Sequence, residues 1–176
     1  MKTSQIEEII TRYFELIRQL RAGDSTAVDQ LMELWDLDGT FEFAGAKPVV
    51  GMFKGATAIH TLYNNRLNAC KMGLRIQTTT GAEQEVTLGM VDTEVQRIRP
   101  NGTKASVGWR TTIGTEQGHG FDISGAHVFT FAGPKIKKLR VTMSEAPVRS
   151  HIAALNVETL HIRDVGRLSL AAWPVV

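Results

Sequence analysis

The chain has two tyrosines, Tyr13 in "RYFEL" and Tyr63 in "HTLYNN", and each falls on an apolar stripe with helical spacing. A phenol donates one proton and also accepts at its oxygen. Turned inward, it either satisfies itself on a backbone carbonyl or water, or it is a donor aimed at something else. Leaving it unpaired would cost about 1–3 kcal/mol. Two such hydroxyls on separate helices facing one sheet point to a shared polar spot in an apolar cavity. The third candidate is His127 in "GAHVFTF". In extended chain it alternates in phase with Phe121, Ile123, Phe129 and Phe131. It reads either as a core imidazole with its bonds satisfied or as a donor or acceptor at a ligand oxygen. The second role would supply acid–base chemistry without a carboxylate. Burial there favours the neutral ring near neutral pH.

The carboxylates are less well placed. Glu42 sits between Phe41 and Phe43 in "DGTFEF", and strand alternation sends it to the face opposite the two rings. If the rings line a cavity, Glu42 points out of it. Asp92 and Glu94 share one face of a later strand, and Asp122 opposes the His127 face. Solvent or an interface is their reading unless a bulge reverses the phase. Arg110, beside Trp109, is either an anion clamp or part of a sheet surface. His119, in the glycine-rich "EQGHGFD" turn, reads as solvated, and His60, off the apolar stripe of its helix, as superficial. His151 and His161 have no assigned place. Cys70 reads as a packing residue. No phosphate loop, dinucleotide fingerprint or nucleophile elbow occurs, and no His/Cys/carboxylate cluster has metal-ligand spacing. We therefore expect no cofactor and no metal.

The elements that must position these groups follow from periodicity. Ile6, Ile9, Ile10, Tyr13, Ile17 and Leu20 make one helical stripe, with Ser4 and Glu7 at capping-box spacing and Gly23 as the stop. Asp24 caps a second helix, buried through Val28, Leu31, Met32 and Trp35 and ended by Gly39. Gly55 or Thr57 starts a third helix, with Ile59, Leu62, Tyr63, Leu67 and Cys70 on one side. Strand-type sequence takes over from Leu74. "RPNGTK" is a hairpin turn, and "GTEQGHG" and "AGPK" are further breaks, so Val86 to Met143 reads as an antiparallel meander. Leu74 to Glu85 stays open between strand and loop. "PKIKKLR" reads as an edge strand protected by lysines. After Pro147 the pattern changes, and Asn156 caps a possible last helix through Val157, Leu160, Val165 and Leu168. The expected fold is α+β. Three N-terminal helices lie on a curved antiparallel sheet and form a cone around an apolar cavity, in a domain of residues 1–146 with a C-terminal helical extension over 147–176.

Composition agrees with a globular protein: 176 residues, 43% hydrophobic, 22% charged. A net charge of +2 argues against nucleic acid or an anionic membrane as partner. With one cysteine there is no intrachain disulfide. The start "MKTSQIEEII" lacks the apolar core of a signal peptide, and no stretch is apolar for long enough to span a bilayer. The expected setting is cytoplasmic.

From Ser4 to Glu145, the element order and the runs "RYFEL" then "AGD", "LWDLDGTFEF" and "GMFKGATAIHTLY" resemble the nuclear transport factor 2-like superfamily. This is the cone-shaped fold of ketosteroid isomerases, scytalone dehydratase, limonene epoxide hydrolase and SnoaL-type cyclases. Matched to the isomerases, Tyr13 falls at the oxyanion-hole tyrosine and Tyr63 at a tyrosine that supports it. Trp35 replaces a third tyrosine, and His127 stands where a protonated aspartic acid donates to the same oxyanion. The general-base aspartate falls at Phe43, so the isomerase base is absent. Scytalone dehydratase is similar in length and in using histidines and tyrosines, but its site does not transfer onto the histidine spacing here. The resemblance implies a pocket for a small hydrophobic molecule, with Tyr13 and His127 catalytic and Tyr63, Trp35, Phe43, Phe129 and Met143 binding the ligand. It also implies a homodimer with sheets back to back. The activity implied is a cofactor-independent isomerase, dehydratase or cyclase acting on a ring-containing carbonyl or hydroxyl compound. The alternative is a non-catalytic protein that binds a hydrophobic ligand or a partner.

Overall fold

The computed structural model describes residues 1–44, 50–65, 67, 71–77, 83–115 and 118–143; for residues 50, 71–77, 83–93, 113–115, 118–123 and 143 it describes the backbone alone. The element order is α1 (Thr3–Arg21), α2 (Thr26–Glu33), β1 (Trp35–Ala44), β2 (Val50–Lys54), α3 (Ala56–Asn64), β3 (Lys71–Gln77), β4 (Glu83–Asn101), β5 (Lys104–Thr115), β6 (Gly118–Ala132) and β7 (Lys135–Met143). The expected C-terminal helix, with Cys70, His151 and His161, lies outside the described residues.

The helices bury most of the predicted stripes, although Ile9 and Met32 are half-buried and α3 stops at Asn64, short of Leu67. On α1 the buried residues are Ile6, Ile10, Tyr13, Phe14, Leu16, Ile17 and Leu20. Its first turn is closed by Lys2, whose backbone N–H donates to Gln5 Oε1 at 2.9 Å, and not by the Ser4/Glu7 pair. Gly23, at φ 95°, takes the left-handed conformation that ends α1. Asp24 Oδ1 then accepts from the Thr26 backbone N–H at 2.9 Å and its hydroxyl at 2.7 Å, as its position before α2 predicts. That helix stops at Glu33, so Trp35 is the first residue of β1 and not the last of a helical stripe. Its indole turns back over the strand at Gly39, where a Cβ would come within 2.7 Å of the ring. The Gly55 N–H donates to the Gly39 carbonyl at 2.8 Å, and with φ 82° Gly55 redirects the chain into α3.

Among the described residues, seven strands form one sheet in the order β2-β1-β7-β6-β5-β4-β3. The run from β4 to β7 is the predicted Val86–Met143 meander, and β3, paired antiparallel to β4, settles Leu74 to Gln77 as strand. At the "RPNGTK" hairpin Asn101 pairs with Lys104, so Gly102, at φ 62°, and Thr103 are the two central residues. Register shifts in the β4–β5, β5–β6 and β6–β7 ladders add the local twist that curves the sheet.

The sheet differs from the expected one in one pairing, because β1 runs parallel to β7. That pairing also corrects the reading of "PKIKKLR", which is an interior strand between β1 and β6. Its cations meet the acids of "DLDGTFE" on β1. Lys138 Nζ lies 2.6 Å and Arg140 Nε 3.5 Å from the Glu42 carboxylate, and Lys137 bridges Asp36 and Asp38. The opposite face of the same strands is apolar and carries the helices. Phe41, Leu139, Val141, Phe129, Phe131, Val107 and Trp109 are all buried there, in one core with the helix stripes.

Candidate functional site

Three elements meet at a chain of hydrogen bonds inside this core. Trp35 Nε1, from the start of β1, donates to the Tyr63 hydroxyl of α3 at 3.1 Å. The Tyr63 hydroxyl donates to the Tyr13 hydroxyl of α1 at 3.4 Å. An indole nitrogen can only donate, which fixes the direction of the first bond; the Tyr63 hydroxyl, accepting there, has its own proton free for the second. Each hydroxyl that accepts keeps its own proton to pass on, so Tyr13 stands at the donor end. The relative exposures of Trp35, Tyr63 and Tyr13 are 3%, 0% and 1%. Buried from water, such bonds are stronger, and each polarises the next.

His127 lies beside that donor end. Its ring centroid is 6.1 Å from that of Tyr13, 5.1 Å from Phe14, 6.0 Å from Phe129 and 6.0 Å from Trp109. The four surrounding rings are buried, whereas His127 is partly exposed although its Nδ1 is covered. Alternation along β6 puts it in phase with the buried Phe129 and Phe131, as predicted. The structure therefore brings Tyr13, Tyr63, Trp35, His127 and Phe129 together. Phe43 packs on Phe41 at 5.3 Å between centroids, on the helix-covered side. The Met143 side chain lies outside the described residues.

The acids and other histidines stand apart. Glu42 occupies the outer face in its Lys138 and Arg140 pairs, as alternation predicts. The hydrogen bond from Lys138 holds its carboxyl below the usual carboxylate range; burial opposes it, and the charges of Lys138 and Arg140 add to the lowering. Arg110 is exposed and faces Glu94 across the β4–β5 ladder, so it belongs to a sheet surface. His60 is exposed, 3.7 Å from Asp29. His119 is not in a turn; its backbone belongs to β6, opposite Gly114, and its side chain lies outside the described residues, as do those of Asp92 and Asp122. Among the described residues the buried polar group besides the aromatic ones is Thr111, and no cluster of His, Cys, Asp and Glu has the arrangement of a metal site.

Two residues at the site were not singled out from sequence, Phe14 and Trp109. Phe14 neighbours Tyr13, and its ring covers His127 from the helix side. Trp109 shares a face with Val107 and Thr111 on β5 and sits across the ladder from Gly125. A Cβ at Gly125 would lie 2.6 Å from Trp109 Cζ2, so that glycine is the space the indole fills. Alternation could have placed Trp109 on the inner face. Only the β5–β6 register shows that it reaches His127. An open groove of about 440 Å³ runs outside, between α1 and the β4 bulge, lined among others by Thr11, Phe14, Arg18, Val95 and Ile98. Phe14 separates it from His127.

No protein-family model matches the sequence, and no curated protein matches it. Solved structures do resemble its fold. A protein similar to nuclear transport factor 2 from Burkholderia xenovorans LB400 superposes with a TM-score of 0.55 at 15% identity, over 82% of this chain and 92% of that one. A second, of unknown function, from Mesorhizobium loti, gives 0.53 at 14% identity over 82% and 94%. A designed protein with a curved sheet gives 0.52 at 12% identity over 82% and 88%. A provisionally assigned ketosteroid isomerase from Kribbella flavida DSM 17836 gives 0.50 at 14% identity over 82% and 81%.

Proposed function

The chain has the nuclear transport factor 2-like fold, and from that premise we propose that it is a small-molecule pocket protein. The reading is of a cofactor-independent isomerase, dehydratase or cyclase that takes a hydrophobic, ring-containing carbonyl or hydroxyl compound. The observation that carries it is the hydrogen-bond chain from Trp35 through Tyr63 to Tyr13, ending beside His127. In this reading Tyr13 donates to the ligand oxygen and, as negative charge develops there, strengthens its bond. Tyr63 and Trp35 orient the Tyr13 hydroxyl and polarise it. His127 is the second donor or carries the proton between two positions of the ligand. The rings of Phe43, Phe129 and Trp35 exclude water, which raises the worth of each donor.

A second reading, of a pocket that binds its ligand without chemistry, is favoured by Glu42. That acid is committed to Lys138 and Arg140 on the outer face, and Phe43 stands where the isomerases keep their base. Pairing of two copies through the outer sheet face, a C-terminal extension over 147–176 and a cytoplasmic setting belong to the same proposal. The partly exposed Ala126 and Val128 and the exposed Met52 on that face support the first of these. Native mass spectrometry of the protein recovered from cells tests the pocket itself. A bound hydrophobic compound of one mass, lost or depleted in Tyr13→Phe, is the expected result. A protein that is always empty, or a lipid mixture held equally by the variant, contradicts it.

A further inference from the structure

Trp109 poses a question that the tyrosine chain does not answer. Its indole Nε1 is buried, the residue is 7% exposed, and among the described residues the N–H meets no hydrogen-bond acceptor. Buried polar groups are nearly always paired, and one left bare costs about 1–3 kcal/mol, so it calls for a physical reason. Phenylalanine would fill the same apolar wall with no such cost. The chain instead keeps an indole, packed against Gly125, where the Thr142 carbonyl oxygen at 2.0 Å already excludes a Cβ. A Cβ there would lie 2.9 Å from Trp109 Cε2, the ring carbon bonded to Nε1, and 2.6 Å from Cζ2. The nitrogen-bearing edge is thus the edge laid against β6, next to His127.

The register shows which side of His127 it occupies. Trp109 pairs with Gly125, and Tyr13 packs on Phe129 at 5.3 Å between centroids. Gly125 and Phe129 are two positions to either side of His127, roughly 13 Å apart along an extended strand. Both donors come from the inner face, and both rings lie about one ring's breadth from the imidazole. The donors therefore flank His127.

We infer that the Trp109 indole N–H is a ligand-directed donor, and that the ligand carries a second acceptor oxygen at the Gly125 end of the pocket, besides the one set at Tyr13. The inference rests on the pocket reading above and narrows its substrate class to ring compounds with two separated oxygens. An indole has no acceptor, so it discriminates in one direction. A carbonyl, carboxylate or hydroxyl oxygen completes the N–H, and a methyl group in the same place leaves it bare.

Two near-isosteric probes separate the possibilities, 6-hydroxy-1-tetralone and 6-methyl-1-tetralone, titrated into wild type, Trp109→Phe and Tyr13→Phe. The chain has three tryptophans, Trp35, Trp109 and Trp173, hence three indole N–H signals in a ¹H–¹⁵N spectrum, and Trp109→Phe assigns one. The hydroxy compound should move the Trp109 indole proton downfield and bind wild type about tenfold more tightly than the methyl compound. Trp109→Phe should remove that preference, and Tyr13→Phe should weaken both compounds. The spectrum of the wild-type protein keeps the test valid even if Trp109→Phe folds poorly. If both probes bind alike, Tyr13→Phe weakens both and the Trp109 signal stays still, the inference fails and the pocket reading stands. If neither probe binds at millimolar concentration, both the inference and the pocket reading fall.

Discussion

At the scale of single residues, the two tyrosines divide stability and binding between them. Tyr63 accepts from Trp35 and donates to Tyr13, so Tyr63→Phe strips the buried Trp35 N–H of its acceptor. We expect a loss of stability of about 1–3 kcal/mol, read as a lower melting temperature, with a modest effect on ligand affinity. Tyr13→Phe should reverse the pattern, with little lost in melting and more lost in binding. Equal profiles for the two variants would mean that the chain has no direction. Glu42 gives a pH signature. Its pairs with Lys138 and Arg140 depress its pKa in the folded protein, so the stability they add is present above the ordinary carboxylate range. That stability is lost as pH falls through the lowered folded value. Melting curves of wild type and Glu42→Gln should therefore differ at neutral pH and converge in strong acid. A gap that persists in acid would assign Glu42 another role.

At the scale of elements, the sheet depends on places where no side chain fits. At Gly125 a Cβ would meet the Thr142 carbonyl oxygen at 2.0 Å as well as the Trp109 ring. Backbone cannot move aside as a flexible side chain can, so Gly125→Ala should cost about 1–3 kcal/mol and shift the Trp109 signal. Unchanged melting would show that β6 and β7 part easily there. The helical stripes and the phase of Phe41, Glu42 and Phe43 were legible in the sequence, because burial on one face writes itself as periodicity. The parallel β1–β7 pair was not, since pairing partners lie about a hundred residues apart in the chain and periodicity carries no record of them. A signal existed nonetheless in the matching charges of "DLDGTFE" and "KIKKLR". Trp35 reads as helical from sequence because its apolar spacing continues the α2 stripe, yet the chain turns into strand after Glu33.

For the molecule as a whole, the candidate site was legible as residue types and the fold as an order of elements. Tyr13, Tyr63 and His127 do converge, whereas Trp109 joined them only through register. The fold brings helices and sheet together around these polar groups, and among the described residues no helix lies on the outer sheet face. Truncation after Ala146 tests how that body relates to the proposed extension. We expect the shortened protein to expose apolar surface and to lose dimer, as measured by light scattering, or to bind the tetralone probe more weakly. Unchanged stability, assembly and binding would make residues 147–176 a mere appendage.

The central claim is that Tyr13 and His127 act on one ligand oxygen, and a double-mutant cycle tests it most directly. Calorimetric titration of 6-hydroxy-1-tetralone into wild type, Tyr13→Phe, His127→Phe and the double variant gives four affinities, each set beside a melting curve. Each single loss should weaken binding by about 1–3 kcal/mol with the fold intact. The double loss should fall short of their sum, because both donors serve the same atom. Single variants that melt lower but bind the probe as wild type does would make these groups core polar residues and end the account.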